Sequence, residues 1–427
     1  MLGSRYYLDA GPSTRADGEH SVRIAPPPSV SLAMSQHVGL PAVVCVVPGQ
    51  RVAAGEKVGE AAPNGLSLPV HSPICGTVTE VARRINPRGR SDVFVTVSND
   101  FGSDSVPAVP YGGDPEDLLA LCAFLKDMGL VGMGGSGYPV YAKLKNAGQN
   151  TKRLIINATE CEPFCSSTAR IIAEHPDEVL RGAAILKTVL KPDEVRLVIE
   201  KRHRKLGMKL CELSRGLLEP AIVTDRYPIG DERQIVRALY KKELSGDALP
   251  SAVGCAIFNA ATCAAVSRAV DRGLPLTHRI VTVNGDCVTR KKNLILPLGV
   301  DIREAVKNCG GFVTKPYMLV LGGPMLGYSV DSPQAAVTKP TTAILAFRER
   351  FRSGNEDCIH CGRCVKICPM GLMPFYFERA VRSKLPLGAG RNFDPSLCSE
   401  CGLCTYICPA NVPLNYLIKI AKKKEAL

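Results

Sequence analysis

Two cysteine runs near the C-terminus have the residue types and the spacing to bind metal–sulfur clusters. The first run contains Cys358, Cys361, Cys364 and Cys368, and the second contains Cys398, Cys401, Cys404 and Cys408. Each run reads C-x2-C-x2-C-x3-C-P, a spacing in which three thiolates wrap one cubane [4Fe–4S] cluster and the fourth ligates the other cluster. The pattern therefore predicts two clusters and a protein that transfers single electrons.

The fourth cysteine of each run is predicted to cross to the other cluster. The predicted ligands of cluster one are Cys358, Cys361, Cys364 and Cys408, and those of cluster two are Cys398, Cys401, Cys404 and Cys368. The alternative is a pair of zinc knuckles, but zinc sites separate two ligand pairs by a long gap, which neither run does. The remaining cysteines lie singly in apolar stretches and are interpreted as small buried hydrophobic residues.

A second segment with the composition of a ligand site is the glycine-rich loop of residues 131–139. Its glycines are Gly132, Gly134, Gly135 and Gly137. Bare backbone N–H groups followed by a helix, predicted to begin near Tyr141, can hold an anion, and Lys143 in the first turn can reach a phosphate. The alternative is a tight turn without a ligand. The loop matches neither a Rossmann fingerprint nor a P-loop.

A third segment places polar side chains at the end of a predicted strand, Arg153–Asn157. Ligands of α/β sheets bind at the carboxyl ends of strands. Asn157 can donate to and accept from a flavin ring edge or ribityl chain, while Glu160 and Glu162 can bind hydroxyl groups. The alternative is an acidic loop in solvent. A turn before a helix at residues 227–234 predicts a further anion site.

Together these segments resemble the C subunit of the Rnf electron transport complex and the related flavoprotein subunit of complex I. The matching family motifs are GxGGAGFPTxxKL at residues 132–144, NAxECEP at 157–163, YPxGxERQ at 227–234, QHIGAP at 36–39 and GGPMMG at 322–327. The cysteine runs also match the family, so collinear motifs extend over roughly residues 30–420. Ser136, Tyr138 and Val140 replace the family's Ala, Phe and Thr, and residues 166–168 replace an acidic pair.

The resemblance implies a protein that holds FMN non-covalently and takes electrons from NADH, with NAD(H) as substrate. The pair of electrons would leave singly through two [4Fe–4S] clusters to a redox partner: membrane-complex subunits, ferredoxin or a terminal reductase. The residues it assigns to the flavin phosphate and nearby nucleotide are Gly132, Gly134, Gly135, Gly137 and Lys143, and those on the ribityl and ring side are Asn157, Glu160 and Glu162.

The implied activity is that of an NADH-linked oxidoreductase or electron-transfer subunit, of the translocase type within an Rnf complex. Two alternatives remain open. One is a soluble adaptor that delivers electrons to a terminal reductase, such as proline reductase, without oxidising NADH, as expected of proline-reductase-associated and cobalamin-reductase relatives. The other is a scaffold whose clusters only hold the fold.

The predicted fold class is multidomain α/β and α+β. The predicted domains are a polar arm at 1–30, a barrel-sandwich-like β domain at 31–112, an α/β FMN/nucleotide-binding domain at 113–272, a β-grasp (SLBB-like) domain at 273–335 and a ferredoxin-like two-cluster domain at 350–427. Within the α/β domain, helices are predicted at 171–190 and 256–270. Residues 47–58 and 69–78 resemble the hammerhead of biotinyl and lipoyl domains, but no lysine sits in the modification setting, so neither modification is predicted.

Composition limits the partners and the location. The net charge is +13 and Trp is absent. Because no nucleic-acid motif accompanies the charge, acidic electron carriers or a membrane-complex surface are the expected partners. No apolar run reaches the ~18 residues of a membrane span, and the N-terminus lacks an apolar signal core. The expected location is the cytoplasm, either free or peripheral on the inner face of the cell membrane.

Overall fold

The computed structural model describes residues 8–9, 20–244, 246, 248–349, 357–388 and 390–425. Two short strands come first, β1 (Leu8–Asp9) and β2 (Val22–Arg23), and both pair with strands much later in the chain. These residues belong to the predicted polar arm, of which residues 1–7 and 10–19 lie outside the described part. At least two pieces of the arm are thus built into sheets.

The next unit is a small β sandwich, as the short β-branched runs predict. Its strands are β3 (Ser29–Ala33), β4 (Val43–Val44), β5 (Arg51–Val52), β6 (Lys57–Glu60), β7 (Val70–His71), β8 (Gly76–Ile85) and β9 (Ser91–Asn99). They form two antiparallel sheets with orders β3-β9-β8-β5 and β4-β6-β7. Alternate residues such as Val30, Leu32, Val95 and Val97 point into the core, which is the period-two pattern of a half-buried sheet. The long β8–β9 hairpin ends in a turn at residues 86–90.

The central unit is a parallel α/β domain. Its elements are α1 (Leu118–Asp127), α2 (Val140–Ala147), β10 (Arg153–Asn157), α3 (Ser167–Glu174), α4 (Pro176–Leu190), β11 (Glu194–Glu200), α5 (Arg204–Leu213), β12 (Glu219–Val223), β13 (Arg226–Tyr227), α6 (Glu232–Tyr240), β14 (Cys255–Asn259) and α7 (Ala260–Arg272). The parallel sheet has the order β12-β11-β10-β14. Leu154 and Ile156 pack on the core around α4 and α7, and Ile155 packs on the α6 side. Helices on both faces explain why the centres of β10 and β14 are continuously apolar.

Two predicted helices of this unit are wrong in their limits. The helix predicted at 171–190 is two helices, because α3 ends before His175 and Pro176 begins α4; proline is favoured at the first helical position but lacks the N–H that would continue α3. The helix predicted at 256–270 is a strand followed by a helix. Asn259 caps α7 by accepting from the Ala261 N–H at 2.9 Å, so the apolar residues before it are free to pair as β14.

The third unit is a mixed six-stranded sheet with the order β18-β17-β19-β15-β16-β2. Its elements are β15 (His278–Asn284), β16 (Lys292–Pro297), α8 (Ile302–Lys307), β17 (Met318–Leu321), β18 (Tyr328–Val330) and β19 (Ala343–Phe347). β19 lies between β15 and β17. The domain predicted at 273–335 ends before this central strand. In the structure the sheet continues to Phe347.

The last unit is helical and carries both cysteine runs. Its helices are α9 (Arg363–Ile367), α10 (Pro374–Arg382), α11 (Leu403–Ile407) and α12 (Leu414–Glu425). The two halves repeat the same plan: Gly362 precedes α9 and Gly402 precedes α11, with positive φ of 72° and 78°. A backbone in this region favours glycine, which explains the glycine at the same place in both runs.

Candidate functional site

A cavity of about 720 Å³ opens where the central unit, the third unit and the cysteine-rich unit meet. Asn157 and Asn259 end the neighbouring strands β10 and β14 in register beside it. The lining also includes Gly132, Tyr138, Glu160, Tyr227, Pro340 and Cys401. The cavity thus lies at the carboxyl edge of a parallel sheet, where ligands of α/β folds bind, and one cysteine loop forms part of its wall.

The glycine-rich loop forms one wall of the cavity through Gly132, Gly134 and Gly135, together with Ser136 and Tyr138. The Gly132 N–H donates to the Tyr138 carbonyl at 2.7 Å, which closes the loop. Gly135 has φ +105° and open space where a Cβ would stand, so its backbone faces the cavity bare. Of the predicted glycines, Gly137 is the exception, because it packs against Pro340 and does not line the cavity.

Lys143 reaches the cavity from α2, as the sequence predicts, but it is already paired. Its ammonium group donates to the Glu232 carboxylate at the start of α6 and lies 5.5 Å from the centre of the Phe258 ring. Glu232 therefore offsets the charge that the sequence assigns to a phosphate. Glu232 belongs to the segment at residues 227–234 for which the sequence predicts an anion site, and the sequence does not reveal its pairing with Lys143.

Asn157 is engaged in shaping the cavity. Its Nδ2 donates to the Gly230 carbonyl at 3.0 Å, and its Oδ1 accepts from the Thr159 N–H at 3.0 Å and from the Thr159 hydroxyl at 2.8 Å. The side chain thus ties the end of β10 to the turn before α6. Asn259 is a site residue that sequence reasoning misses, because it assigns β14 to a helix; a polar residue ending an apolar run is the available signal.

Glu160 is buried and binds the start of α3. Its Oε2 accepts from the Thr168 N–H at 2.5 Å and the Ala169 N–H at 3.3 Å, where the partial positive charge of the helix N-terminus favours a carboxylate. Burial, with a contribution from the neighbouring Glu200, nevertheless raises the pKa of Glu160 to about 7. Thr168, in the segment that replaces the family's acidic pair, thus donates its N–H to the glutamate.

Glu162 holds the turn between β17 and β18. Its oxygens accept from the N–H groups of Leu326 at 2.8 Å and Met325 at 3.1 Å, and Gly323 packs so closely that a Cβ there would overlap the carboxylate. Burial raises the pKa of Glu162 to about 7. Glu200, fully buried on β11, also has its pKa raised to about 7 by burial. No local pattern points to Glu200, because it simply ends an apolar strand.

The segment at 227–234 connects the cavity to the cysteine-rich unit. Asp231 caps α6 by accepting from the Arg233 N–H at 3.0 Å, and burial raises its pKa to about 6. The buried Tyr227 hydroxyl donates to the Cys401 carbonyl at 2.7 Å. Arg237 on α6 donates to the Pro369 carbonyl at 2.9 Å. The same segment and its helix therefore contact both cysteine loops.

The four thiols predicted for cluster one, Cys358, Cys361, Cys364 and Cys408, line one small pocket. The thiols predicted for cluster two, Cys368, Cys398, Cys401 and Cys404, lie close together: burial raises the pKa of Cys398, Cys401 and Cys404, and neighbouring thiols of the set add to each shift. N–H groups of Leu372 and Glu400 point at the sulfurs of Cys368 and Cys398, at 3.4 and 3.3 Å. Four converging thiols with N–H donors to sulfur suit [4Fe–4S] clusters, and each set takes its fourth member from the other run.

Three family models match the chain. Residues 14–102 match the RnfC barrel sandwich hybrid domain, residues 125–268 the Nuo51 FMN-binding domain and residues 357–412 a 4Fe-4S dicluster domain. The fold class predicted for these parts is therefore confirmed, as are the two cofactors, FMN and paired [4Fe–4S] clusters. The glycine loop with its bare backbone and the polar strand ends fit such a flavin.

A solved structure shares this architecture. An NAD+-reducing [NiFe]-hydrogenase in the H2-reduced state superimposes with a TM-score of 0.53 at 18% identity, over 75% of this chain and 64% of that one. At this identity the likeness concerns the fold. No helix within the described part of the chain has the length and apolar character of a membrane span.

Curated relatives belong to ion-translocating complexes. The chain is 33% identical to the C subunit of the ion-translocating oxidoreductase complex of Rhodobacter capsulatus, over 84% of this chain and 70% of the relative. The corresponding values for the C subunit from Pectobacterium carotovorum are 31%, 83% and 48%, so the chain spans about half the length of that relative. The predicted resemblance is confirmed: the chain belongs to the family of Rnf-complex C subunits.

Proposed function

We propose that this chain is a flavin–iron–sulfur electron-transfer protein that accepts electron pairs from NADH and passes single electrons to a partner. The observation that carries the proposal is the shared cavity, because the glycine-rich loop and Cys398 and Cys401 line the same space. A bound flavin supplies the step between two-electron and one-electron chemistry. A ligand in the cavity would therefore lie against a cluster loop without an intervening domain.

The residues around the cavity suit this role. The bare backbone at Gly134 and Gly135 offers N–H groups to a phosphate. Asn157 and Asn259 hold the strand ends beside which the flavin would lie. Glu160 lines the cavity and has its pKa raised to about 7, so its carboxylate form would be available to accept the proton that a reduced flavin would release on oxidation. We assign Lys143 a supporting role through its pair with Glu232.

The two predicted clusters give the electrons a direction. Cluster two, on Cys398, Cys401, Cys404 and Cys368, borders the cavity. Cluster one is nearer the surface, because Cys361 is exposed. Electrons entering at the cavity would reach cluster two first and leave from cluster one. The exit then lies on the outer face of the helical unit, where a redox partner can dock.

The relatives indicate the substrate and the partner. The Clostridium ljungdahlii relative, 29% identical over 83% of this chain and 79% of its own length, is named as the C subunit of a proton-translocating ferredoxin:NAD(+) oxidoreductase complex. By this similarity we propose NAD(H) as the substrate and a membrane-complex subunit or a ferredoxin as partner. Attachment through such a complex would place the chain at a membrane surface.

The test uses the full chain, purified anaerobically with its clusters and loaded with FMN. NADH should bleach the visible absorbance of the clusters, and protein without flavin should show no such bleaching. Dithionite, which reduces clusters directly, is the control. Clusters that dithionite bleaches in flavin-loaded protein, while NADH does not, would contradict the proposal and indicate an adaptor filled by another protein. Clusters silent to both reductants would indicate a scaffold.

A further inference from the structure

Two cationic side chains lie buried behind the glycine-rich loop. Arg279 on β15 is 3% exposed and Lys339 is 0% exposed. Arg279 donates to the Met133 carbonyl of the loop at 3.1 Å and to the Lys339 carbonyl. The Lys339 ammonium donates to the carbonyls of Pro69 and Gly129 at 2.7 and 2.8 Å. The loop is thus tied from behind to the β sandwich and to the third unit.

These cations hydrogen-bond to backbone carbonyls and not to carboxylates within the described part of the chain. Arg279 Nε is buried and has no partner there. Burial lowers the pKa of Lys339 to about 7 and that of Arg279 to about 9, with Glu160 opposing the second shift. Burying a charge without an opposite charge is costly. An anion held on the other side of the loop would offset that cost.

Each cation lies next to a residue that lines the cavity. Lys339 is the residue before Pro340, which lines the cavity. Arg279 bonds to Met133, the residue before Gly134, which lines the cavity from the loop. Pro340 also packs against Gly137. The positive charge therefore lies one layer behind the surface that a ligand would touch.

We propose that Arg279 and Lys339 are positioning residues that make the site select a phosphorylated flavin, FMN, over riboflavin. The inference rests on the proposed function, since it takes a flavin to be the ligand of the cavity. The cations hold the loop in the shape that presents its N–H groups, and their field acts on the phosphate through a medium of low dielectric constant. Riboflavin has the same ring and ribityl chain but no phosphate, so it does not gain from this field.

The test compares the affinities of the two flavins for the full-length, cluster-loaded protein after its flavin has been removed. In Arg279→Gln the dissociation constant for FMN should rise about tenfold, the size of a charge–charge interaction at moderate distance inside a protein, while that for riboflavin stays unchanged. Arg279→Lys, which keeps the charge but not the forked geometry, should recover most of the FMN affinity. Lys339→Met should resemble Arg279→Gln. Lys307→Met removes a charge from a side chain that is 75% exposed and should change neither constant.

The ratio of the two constants separates selection from simple support. Equal losses for FMN and riboflavin in Arg279→Gln would overturn the inference, since they would mean that the arginine only holds the loop. An unchanged FMN constant would overturn it as well. If Lys339→Met does not fold, the Arg279 pair of variants still decides the question. Wild-type protein that binds neither flavin would overturn the proposed function itself, a result distinct from the other two.

Discussion

The cluster-binding region and the flavin region are built in opposite ways. The thiols predicted to hold each cluster come from two short runs with fixed local spacing, residues 358–368 and 398–408. The cavity instead draws its lining from segments that lie between residues 88 and 422. Local spacing dictates ligand geometry in the first region, while the fold of three units dictates it in the second.

The regions also differ in what their side chains do. The cysteine thiols would bind iron themselves. The polar side chains of the cavity mostly bind the protein: Asn157 ties the end of β10 to the turn before α6, Glu160 caps α3, and Glu162 holds the β17–β18 turn. The cavity therefore leaves ligand contact largely to the backbone and to its shape. Substitutions should act directly in the cluster region and through neighbouring loops in the cavity.

The largest effect should follow from removing a cluster ligand. In Cys404→Ser, cluster two loses a thiolate, and because Cys404 is buried in the core shared by α10 and α12, the helical unit loses stability as well. Iron analysis and electron paramagnetic resonance of the reduced protein should show loss of one of the two cluster signals. NADH should then no longer bleach the remaining cluster.

The matched control is Cys263→Ser, which changes a fully buried cysteine of α7 that belongs to neither run. Burial raises the pKa of this thiol to about 12, consistent with a packing role. Iron content should stay at the wild-type level. Equal iron loss in both variants would show that the first result reports general unfolding and that the contrast between the regions is unsupported.

A smaller effect should follow from crowding Glu162. In Gly323→Ala the new Cβ would overlap the carboxylate, so the glutamate side chain must shift and weaken its bonds to the N–H groups of Met325 and Leu326. Weakening these charge-assisted bonds costs about 2 kcal/mol in the free energy that holds the turn in place. Because Glu162, Met325 and Leu326 line the cavity, we expect FMN binding to weaken at least about tenfold. Flavin titration by fluorescence quenching measures the change.

Gly112→Ala provides the control, because Gly112 is exposed and no atom stands within 4 Å of the place that the added methyl group would take. FMN affinity should be unchanged there. An unaltered FMN affinity in Gly323→Ala would mean that Glu162 and its turn do not shape the flavin site. Cluster content should be unaffected in both variants, which keeps this experiment separate from the first.

This contrast also explains which parts of the molecule are predictable. Cysteine spacing predicts cluster ligands because three ligands of each cluster are almost contiguous in the chain and the fourth has a fixed place in the other run. The glycine loop and Asn157 are found because they form local motifs, and the structure brings both to one cavity. The strand β14 is mistaken for a helix because a short apolar run fits either a strand or a helix. Only the recognition of Asn259 as the N-cap of α7 shows that the helix begins after this run.

The unpredicted features depend on contacts between distant parts of the chain. Glu232 neutralises Lys143, 89 positions away in sequence, and no local pattern reports such a pair. β19 enters the sheet between two earlier strands, which sequence order does not indicate. Arg279 and Lys339 read as ordinary surface cations until their burial is known.

The stability of the folded protein should depend on pH through Glu160. The pKa of Glu160 is about 7 in the folded protein and 4.5 as its ordinary value, so the folded state holds a proton that the unfolded state releases between these limits. The free energy of unfolding should therefore fall as pH rises from 4.5 to 7 and level off above it. Glu160→Gln keeps the acceptor for α3 and cannot ionise. The variant should lose on the order of 2–3 kcal/mol of this pH dependence, measured by urea unfolding at pH 5 and pH 8.

Glu219→Gln, on a side chain that is 64% exposed, is the control and should follow the wild-type curve. Glu162 and Glu200 add slopes of the same sign, because burial raises the pKa of each. A Glu160→Gln curve parallel to that of the wild type would show that Glu160 is ionised in the folded protein. Glu160 would then be a charged side chain able to bind a ligand directly. In that respect the cavity would resemble the cluster region, where the thiols bind iron directly.

The smallest effect should come from Lys143→Met. Lys143 and Glu232 form a partly exposed pair, 24% and 38%, and such pairs contribute at most about 1 kcal/mol because solvent screens them. Because solvent also screens a phosphate from this partly exposed pair, FMN affinity should fall less than about fivefold. Lys145→Met, on the exposed face of the same helix, should have no effect. A loss of tenfold or more in Lys143→Met alone would mean that the lysine leaves Glu232 to bind the phosphate. A side chain of the cavity would then act as a ligand just as the cysteines do, and the difference between the two regions would shrink to one of sequence distance.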